Sequence, residues 1–219
     1  MRLRLCERLL EMIKNKYLAF AVRLLVMFLG IALMGFSISG LFWANLGSDP
    51  TSVLVDGLHS ALHISHGSAS NIVNISLLVL LIIINRKKLG IATVASALTT
   101  GSFITLSQNY FYILLPSEPN ILLRFPVCLA SVILNSMSLG IYINADLGTS
   151  SFDGIILTMH ESFGISVKFA MYIFYAIVFI LGIILGGVCG IGTIMSLLLC
   201  GILFEMFLNF FAKIKVKLY

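Results

Sequence analysis

Asn45, Gly47, Ser48 and Asp49 interrupt a strongly apolar stretch in LFWANLGSDPTSVL, residues 41–54. The phrase returns 101 residues later as YINADLGTSSFDGI, residues 142–155, which carries Asp146, Gly148, Thr149 and Asp153. Carboxylates, hydroxyls and glycine grouped this way are binding chemistry. Asp49 before Pro50 joins a preferred N-cap acceptor to a proline suited to the first helical position. In the second phrase Thr149 or Ser150 can cap SFDGIILTMHESFG. Each helix start carries unsatisfied N–H groups and a positive dipole end, and glycine lets a ligand approach the backbone closely. If both short helices dip inward, their starts form an anion-friendly centre. On that reading Gly148→Leu blocks binding without disturbing folding. Two helices lying at the interface with no ligand are the alternative.

Other residues invite chemistry less directly. Asp56, His59, His63 and His66 follow D-x2-H-x3-H-x2-H and fall on one helical face. Imidazole and carboxylate ligate zinc or copper, but the second phrase keeps only His160, so a polar face is the preferred reading and no metal is expected. His59 suits a pH response better than a metal, because histidine titrates near neutrality. Arg23 and Arg124 occupy equivalent ends of two apolar segments. They either snorkel to headgroups or clamp an anionic group, one from each half. Glu205 stands alone in LFEMF, facing a cavity or reaching the interface. GIGT (190–193) and LGIAT (89–93) lack the strand and the lysine or acid of nucleotide loops, so close helix packing is the better account. No Ser–His–Asp or Cys–His arrangement has credible spacing, so neither enzyme activity nor a cofactor is expected. Cys6, Cys128, Cys189 and Cys200 show no pairing pattern.

These groups must be positioned by membrane helices. Of 219 residues 59% are hydrophobic and 11% charged, too little charge for a soluble surface. Apolar runs longer than about 18 residues can cross the hydrocarbon core as helices, and the alternation of a transmembrane barrel is missing. Spans are expected near 24–44, 67–85, 89–109, 124–144, 168–186 and 191–211. Residues 1–17 read as a basic amphipathic segment on the cytoplasmic leaflet, not a signal peptide. Thirteen of the 14 lysines and arginines then fall on one side, and only Arg124 on the other. This places both termini in the cytoplasm. Trp43, Tyr110, Phe111 and Tyr112 suit an interfacial aromatic belt. Nucleic-acid binding would need a basic soluble domain, and the chain has none.

The repeat extends beyond the polar phrases. Arg23 matches Arg124 and His59 matches His160, while LGIATVASALTTG (89–101) matches CGIGTIMSLLLCG (189–201). Residues 18–117 and 118–219 therefore read as two versions of one three-span unit. Three is odd, so the units insert upside down relative to each other, the inverted-repeat plan of secondary transporters. The expected fold is an all-α polytopic membrane protein forming one domain. It has six transmembrane helices in two inverted three-helix repeats, each with a short interfacial or re-entrant helix.

ANLGSDPTSVL, ADLGTSSFDGI and GIGTIMSLLLCGILFEMF resemble the YczE/YyaS/YitT group of bacterial membrane proteins, most nearly its YczE branch. In that pattern Leu-Gly precedes Pro-x-Asp, and a later Gly-x-Gly-Thr is followed by glycine. Gly148, Asp153, Gly190, Gly192, Thr193 and Gly201 fit, whereas Ser52 replaces the first acid and Ser151 the second proline. The resemblance implies a multi-pass protein of a bacterial cytoplasmic membrane. Together these readings suggest a permease for an unidentified small solute, an anion among the candidates. Arg23, Asn45, Gly47, Ser48, Asp49, His59, Arg124, Asp146, Gly148, Thr149, Asp153 and His160 are its candidate site residues. The alternatives are a membrane scaffold or the substrate-binding subunit of a multi-subunit transporter. Expected partners are the lipid bilayer, the solute and either a membrane protein or a second copy.

Overall fold

A computed structural model describes residues 16–116 and 120–218. The described residues form eight α-helices and no strand. In order they are α1 (Lys16–Ala44), α2 (Pro50–Leu62), α3 (His66–Ile84), α4 (Ile91–Leu114), α5 (Ile121–Asn144), α6 (Ser151–Phe163), α7 (Val167–Ile184) and α8 (Ile191–Leu218). The six long helices overlap the expected segments, with α1 beginning earlier and α4 and α8 ending later than expected. Three of them carry apolar stretches fit to cross a membrane, Ala19–Ala44, His66–Ile84 and Ile121–Asn144. A fourth qualifies if the bent pair Ile191–Cys200 and Ile202–Lys213, inclined at 41°, is one span. The protein is thus all-helical and membrane-embedded. The expected amphipathic segment falls almost wholly outside the described residues.

Helix lengths follow the same order twice, long, short, long, long, because the local signals recur. Asn45 (φ 50°) and Asp146 (φ 53°) end α1 and α5 in the left-handed region, which asparagine and aspartate tolerate better than most residues. Pro50 opens α2 at its first position, and α2 and α6 are both 13 residues long. Both close left-handed, at His63 and at Gly164. Packing repeats as well. α1 lies against α5, α1 against α4, and α5 against α8.

Two backbone bridges join the halves. The Gly192 amide donates to the Leu46 carbonyl at 2.7 Å, and the Ala92 amide to the Leu147 carbonyl at 3.0 Å. Each Leu-Gly loop thereby satisfies a helix-start donor in the other half, a group with no partner inside its own helix. Thr93 and Thr193 complete the starts, accepting from the Gly90 and Gly190 amides. Glycine makes the approach feasible. A Cβ on Gly47, at φ +92°, would lie 2.4 Å from Thr193 Oγ1 and 2.6 Å from the Gly190 nitrogen. One on Gly148, at φ +121°, would lie 2.8 Å from Gly90 Cα. The expectation that Gly148→Leu spares folding is therefore corrected, since the position is strained and tightly packed for any side chain.

The halves differ in one respect. α3 packs along α4, with the Asn71 side chain accepting from the Gly101 amide at 3.1 Å. The corresponding helices α7 and α8 have no comparable packing among the described residues. Trp43, expected in an interfacial belt, is instead buried beside Leu41, Cys128 and Val132, while Tyr110 and Tyr112 are exposed.

The bridge gives a stability test. Gly47→Ala should cost roughly 2–4 kcal/mol, backbone strain and overpacking combined. Gly164→Ala, also at positive φ but with nothing within 4 Å of the added carbon, should cost about 1 kcal/mol. Thermal unfolding in detergent measures the difference. Equal losses would mean that strain alone matters at Gly47.

Candidate functional site

The two polar phrases build the starts of α2 and α6. Asp49 caps α2, with Oδ2 accepting from the Ser52 amide (3.2 Å) and Oδ1 from the Ser52 hydroxyl (2.7 Å). The Thr51 hydroxyl also donates to this carboxylate. Ser150 caps α6, accepting from the Asp153 amide (3.2 Å) and donating to Asp153 Oδ2 (2.8 Å). Asp49 corresponds to Ser150, and Ser52 to Asp153. The halves therefore use the same carboxylate–hydroxyl pair with the two positions exchanged. Each helix start holds one acid, at the cap of α2 and in the first turn of α6, so Ser52 pairs with Asp49 where the family pattern has aspartate.

Both helix starts are packed into the protein: Ser48, Pro50 and Ser52 are buried at α2 and Ser151 at α6, while Asp49 and Asp153 are half-buried.

Among the described residues, three buried hydroxyls have no hydrogen-bond partner, those of Tyr142, Ser151 and Ser196. Each of these residues is at most 2% exposed. Tyr142 sits beside Ser96, yet no partner meets its hydroxyl at bonding geometry, and Ser96 donates to the Thr93 carbonyl. Leaving a buried donor unmade costs about 1–3 kcal/mol. Each such group is left without a partner from the protein itself. Sequence reasoning missed these residues. The one available signal was that Ser96 and Ser196 recur in the two halves.

The histidines lie elsewhere. His59 and His160 are each ten residues beyond a cap position, about 15 Å along their helices. His160 Nδ1 meets the Ile165 carbonyl at 2.5 Å, and His59 makes the same contact with Ile64. Both lock the corner into the next helix, so neither joins the centre. Near the first corner, His66 Nε2 lies 3.1 Å from Asp56 Oδ1, and Gln108 meets His66 Nδ1 at 2.9 Å. The His66 ring stacks between those of His59 and Phe42. Asp56 Oδ2 accepts from the Val188 amide at 2.7 Å, tying the α7–α8 loop to α2. His63 is exposed at the corner, and no metal-holding group of three side chains occurs among the described residues.

A pocket with room for about one water is lined by Asn45, Gly47, Ser48, Asp56 and Val188, among others. Ser48 is buried, while Asn45 and Asp146 shape exposed turns. The Thr149 carbonyl accepts from Thr93 Oγ1 at 2.6 Å. Gly47 and Gly148 serve the bridges. Arg23 and Arg124 are half-buried near the starts of α1 and α5, far along those helices from the polar phrases that follow them. Glu205 is exposed on α8.

Two predictions follow from the geometry. Asp49→Ala should destabilise the fold by about 1 kcal/mol through loss of the cap, whereas Asp49→Asn keeps a capping oxygen and should cost about 0.5 kcal/mol or less. Thermal unfolding separates the two. For Asp56, burial pushes the pKa up, but the hydrogen bonds from His66 and Val188 and the charges of His66 and His59 outweigh it, leaving the pKa below its ordinary value of 3.8. A depressed carboxylate contributes stability above its unfolded pKa, and this is lost as pH falls through the folded one. Protection of the Val188 amide, corrected for intrinsic exchange, should therefore persist at pH 5 and fall below about pH 4. Asp56→Asn should flatten that dependence.

Comparison with known proteins bears on the whole helical unit. Uncharacterized protein YyaS of Bacillus subtilis is 26% identical over 198 residues, covering 88% of this chain and 92% of the relative. An uncharacterized protein of Haemophilus influenzae is 24% identical over 189 residues, covering 86% and 84%. No solved structure matches. These relatives bear on the wider YyaS-type group, not on the YczE branch. A family model described as a family of unknown function, DUF6198, matches residues 21–209. With that match spanning α1 to α8, the chain belongs to the DUF6198 family of YyaS-like proteins.

Proposed function

We propose that the protein is a permease of a bacterial cytoplasmic membrane, with six spans in two inverted halves and a central site for a small solute. One observation carries the reading. Two 13-residue helices from equivalent places in the chain begin in buried polar turns, and the Ser151 hydroxyl in one of them lacks a partner. A purely structural bundle gains nothing from unmade hydrogen bonds, whereas a transport site satisfies them with its cargo. The difference between the packed α3–α4 pair and the separated α7–α8 pair adds support, because alternating access requires equivalent halves to adopt unlike arrangements. The cationic Arg86, Lys87 and Lys88, clustered in one short turn, fit a cytoplasmic loop.

Thiol labelling tests both parts of the proposal in a cysteine-free background. A cysteine at Ser65 should react with an impermeant reagent outside intact cells, and cysteines at Lys88 and Lys215 should not. Labelling of all three from one side would overturn the inverted arrangement. A cysteine at Ser151 should react with a small thiol reagent from either face of sealed vesicles, because a permease exposes its centre alternately. A thiol that stays inert from both faces would indicate a sealed scaffold.

A further inference from the structure

We infer that the His66 ring, with Asp56 and Gln108, is a proton-binding site that opens and closes the seam between α3 and α4. This deepens the permease reading, on which it rests, by naming the proton as the coupling ion. His66 opens α3, and both of its ring nitrogens are engaged. Nε2 lies 3.1 Å from Asp56 Oδ1 on α2, and Nδ1 lies 2.9 Å from Gln108 Nε2 on α4. Phe42 of α1 and His59 of α2 stack on the ring, with centroids 4.2 and 3.7 Å away. The His66 and Asp56 side chains are only 12% and 13% exposed. One imidazole thus ties α3 to three other helices.

The second half builds the same corner without this cluster. Between α6 and α7 it keeps the histidine contact, His160 with the Ile165 carbonyl, and the serine cap, Ser166 in place of Ser65. In the registers of the repeat, however, Asp56, His66 and Gln108 correspond to Leu157, Val167 and Leu208. The corner therefore folds without the polar cluster, whose presence in one half calls for another use. Its position supplies one. The α3–α4 seam is the packing in which the halves differ. Along it the Gly101 amide donates to Asn71, and a Cβ on Gly67 would collide with Thr105. His66 and Gln108 form the clamp of this seam that a proton can change.

The chemistry follows from the two nitrogens. A carboxylate only accepts, so His66 Nε2 carries the hydrogen facing Asp56, and the Nδ1 lone pair of the neutral ring accepts from the Gln108 amide. Histidine changes charge between about pH 5 and 8. A proton taken up at Nδ1 occupies that lone pair and sets N–H against N–H, so the bond to Gln108 breaks. The bond to Asp56 becomes charge-assisted and tightens, and the Phe42 ring faces a cation. The proton thus frees α3 from α4 while holding it to α2, and Asp56 Oδ2 keeps the Val188 amide throughout. Among the described residues, the titratable groups bonded to or stacked on the ring are Asp56 and His59, both from α2. α1 and α4 present Phe42 and Gln108, and His63 stands exposed at the corner. α6 meets α3 towards its other end, where Gly154 faces Leu81 and Glu161 pairs with Lys88. A charge on His66 opposes a second one on His59, with ring centroids 3.7 Å apart, so the site takes a single proton. Room for about one water lies against Phe42 and Asp56, which a proton relay to the ring requires.

The test uses full-length protein freed of its native cysteines, in lipid nanodiscs, with spin labels on cysteines at the exposed positions Ser68 of α3 and Tyr112 of α4. Electron paramagnetic resonance reads the label separation at about pH 8 and about pH 5.5, on either side of ordinary histidine titration. Acid should shift the separation reversibly to longer values. His66→Gln should make it the same at both pH values, whereas His59→Gln should keep the acid shift. Gln108→Glu offers an acceptor to the protonated Nδ1 and should hold the short separation at both. This variant keeps the test decisive if His66→Gln fails to fold. An acid shift that survives in both His66→Gln and Gln108→Glu would place the proton elsewhere and overturn the inference. A separation indifferent to pH in the parent protein, with Gln108 turning its carbonyl to the ring, would overturn it too. The Ser151 thiol separates this claim from the permease reading. A thiol reactive from either face beside a seam indifferent to pH would keep the permease and overturn the proton. An acid-driven seam beside a thiol inert from both faces would overturn the permease and, with it, the coupling role.

Discussion

Everything in the interior depends on two backbone hydrogen bonds that exchange partners between the halves. The carbonyls of Leu46 and Leu147 reach the starts of α8 and α4, where helix amides have no partner of their own. In an apolar surrounding such an amide is costly if left alone. The loops can supply the carbonyls only because Gly47, Gly90, Gly148 and Gly190 let backbones meet without intervening side chains. Once each loop is pinned, the cap that follows it, Asp49 or Ser150, has little freedom. The polar turns are thus tied to how the starts of α4 and α8 are satisfied.

The exchanged acid and hydroxyl show how a repeat preserves a property without preserving a residue. Asp49 with Ser52, and Ser150 with Asp153, both complete a helix start, and each start keeps one acid. Position by position the halves look mismatched here. At the level of side-chain chemistry they are equivalent.

Much of the fold was legible in the sequence. Apolar runs bounded by glycine, proline and basic clusters located the long helices, and the Asp49–Pro50 pair located the start of α2. The Leu-Gly and Gly-x-x-Thr segments were legible as a repeat but not as each other's partners, because their contacts join residues about 55 to 146 positions apart. His59 and His160 were assigned to the centre because they recur. Recurrence marks equivalence, not location, and both sit at corners some three turns away from the caps. Trp43 followed the general preference of tryptophan for interfaces and was overruled by a pocket formed by Leu41, Cys128 and Val132. Tyr142, Ser151 and Ser196 carry no signature as unpartnered hydroxyls, because what surrounds a hydroxyl is a tertiary fact.

The bridge between Leu46 and Gly192 also sets a timetable. Its donor follows its acceptor by 146 residues, so at about 5–20 residues per second the first loop waits roughly 7–30 s for its partner to be synthesised. The other bridge, from Ala92 to Leu147, can close much sooner. During that interval α1 to α3 are already made while the α2 start has no α8 against which to settle. The earliest polar phrase in the chain is therefore among the last to be fixed, and the nascent protein must hold Asp49 near water or a membrane chaperone until the final helix arrives.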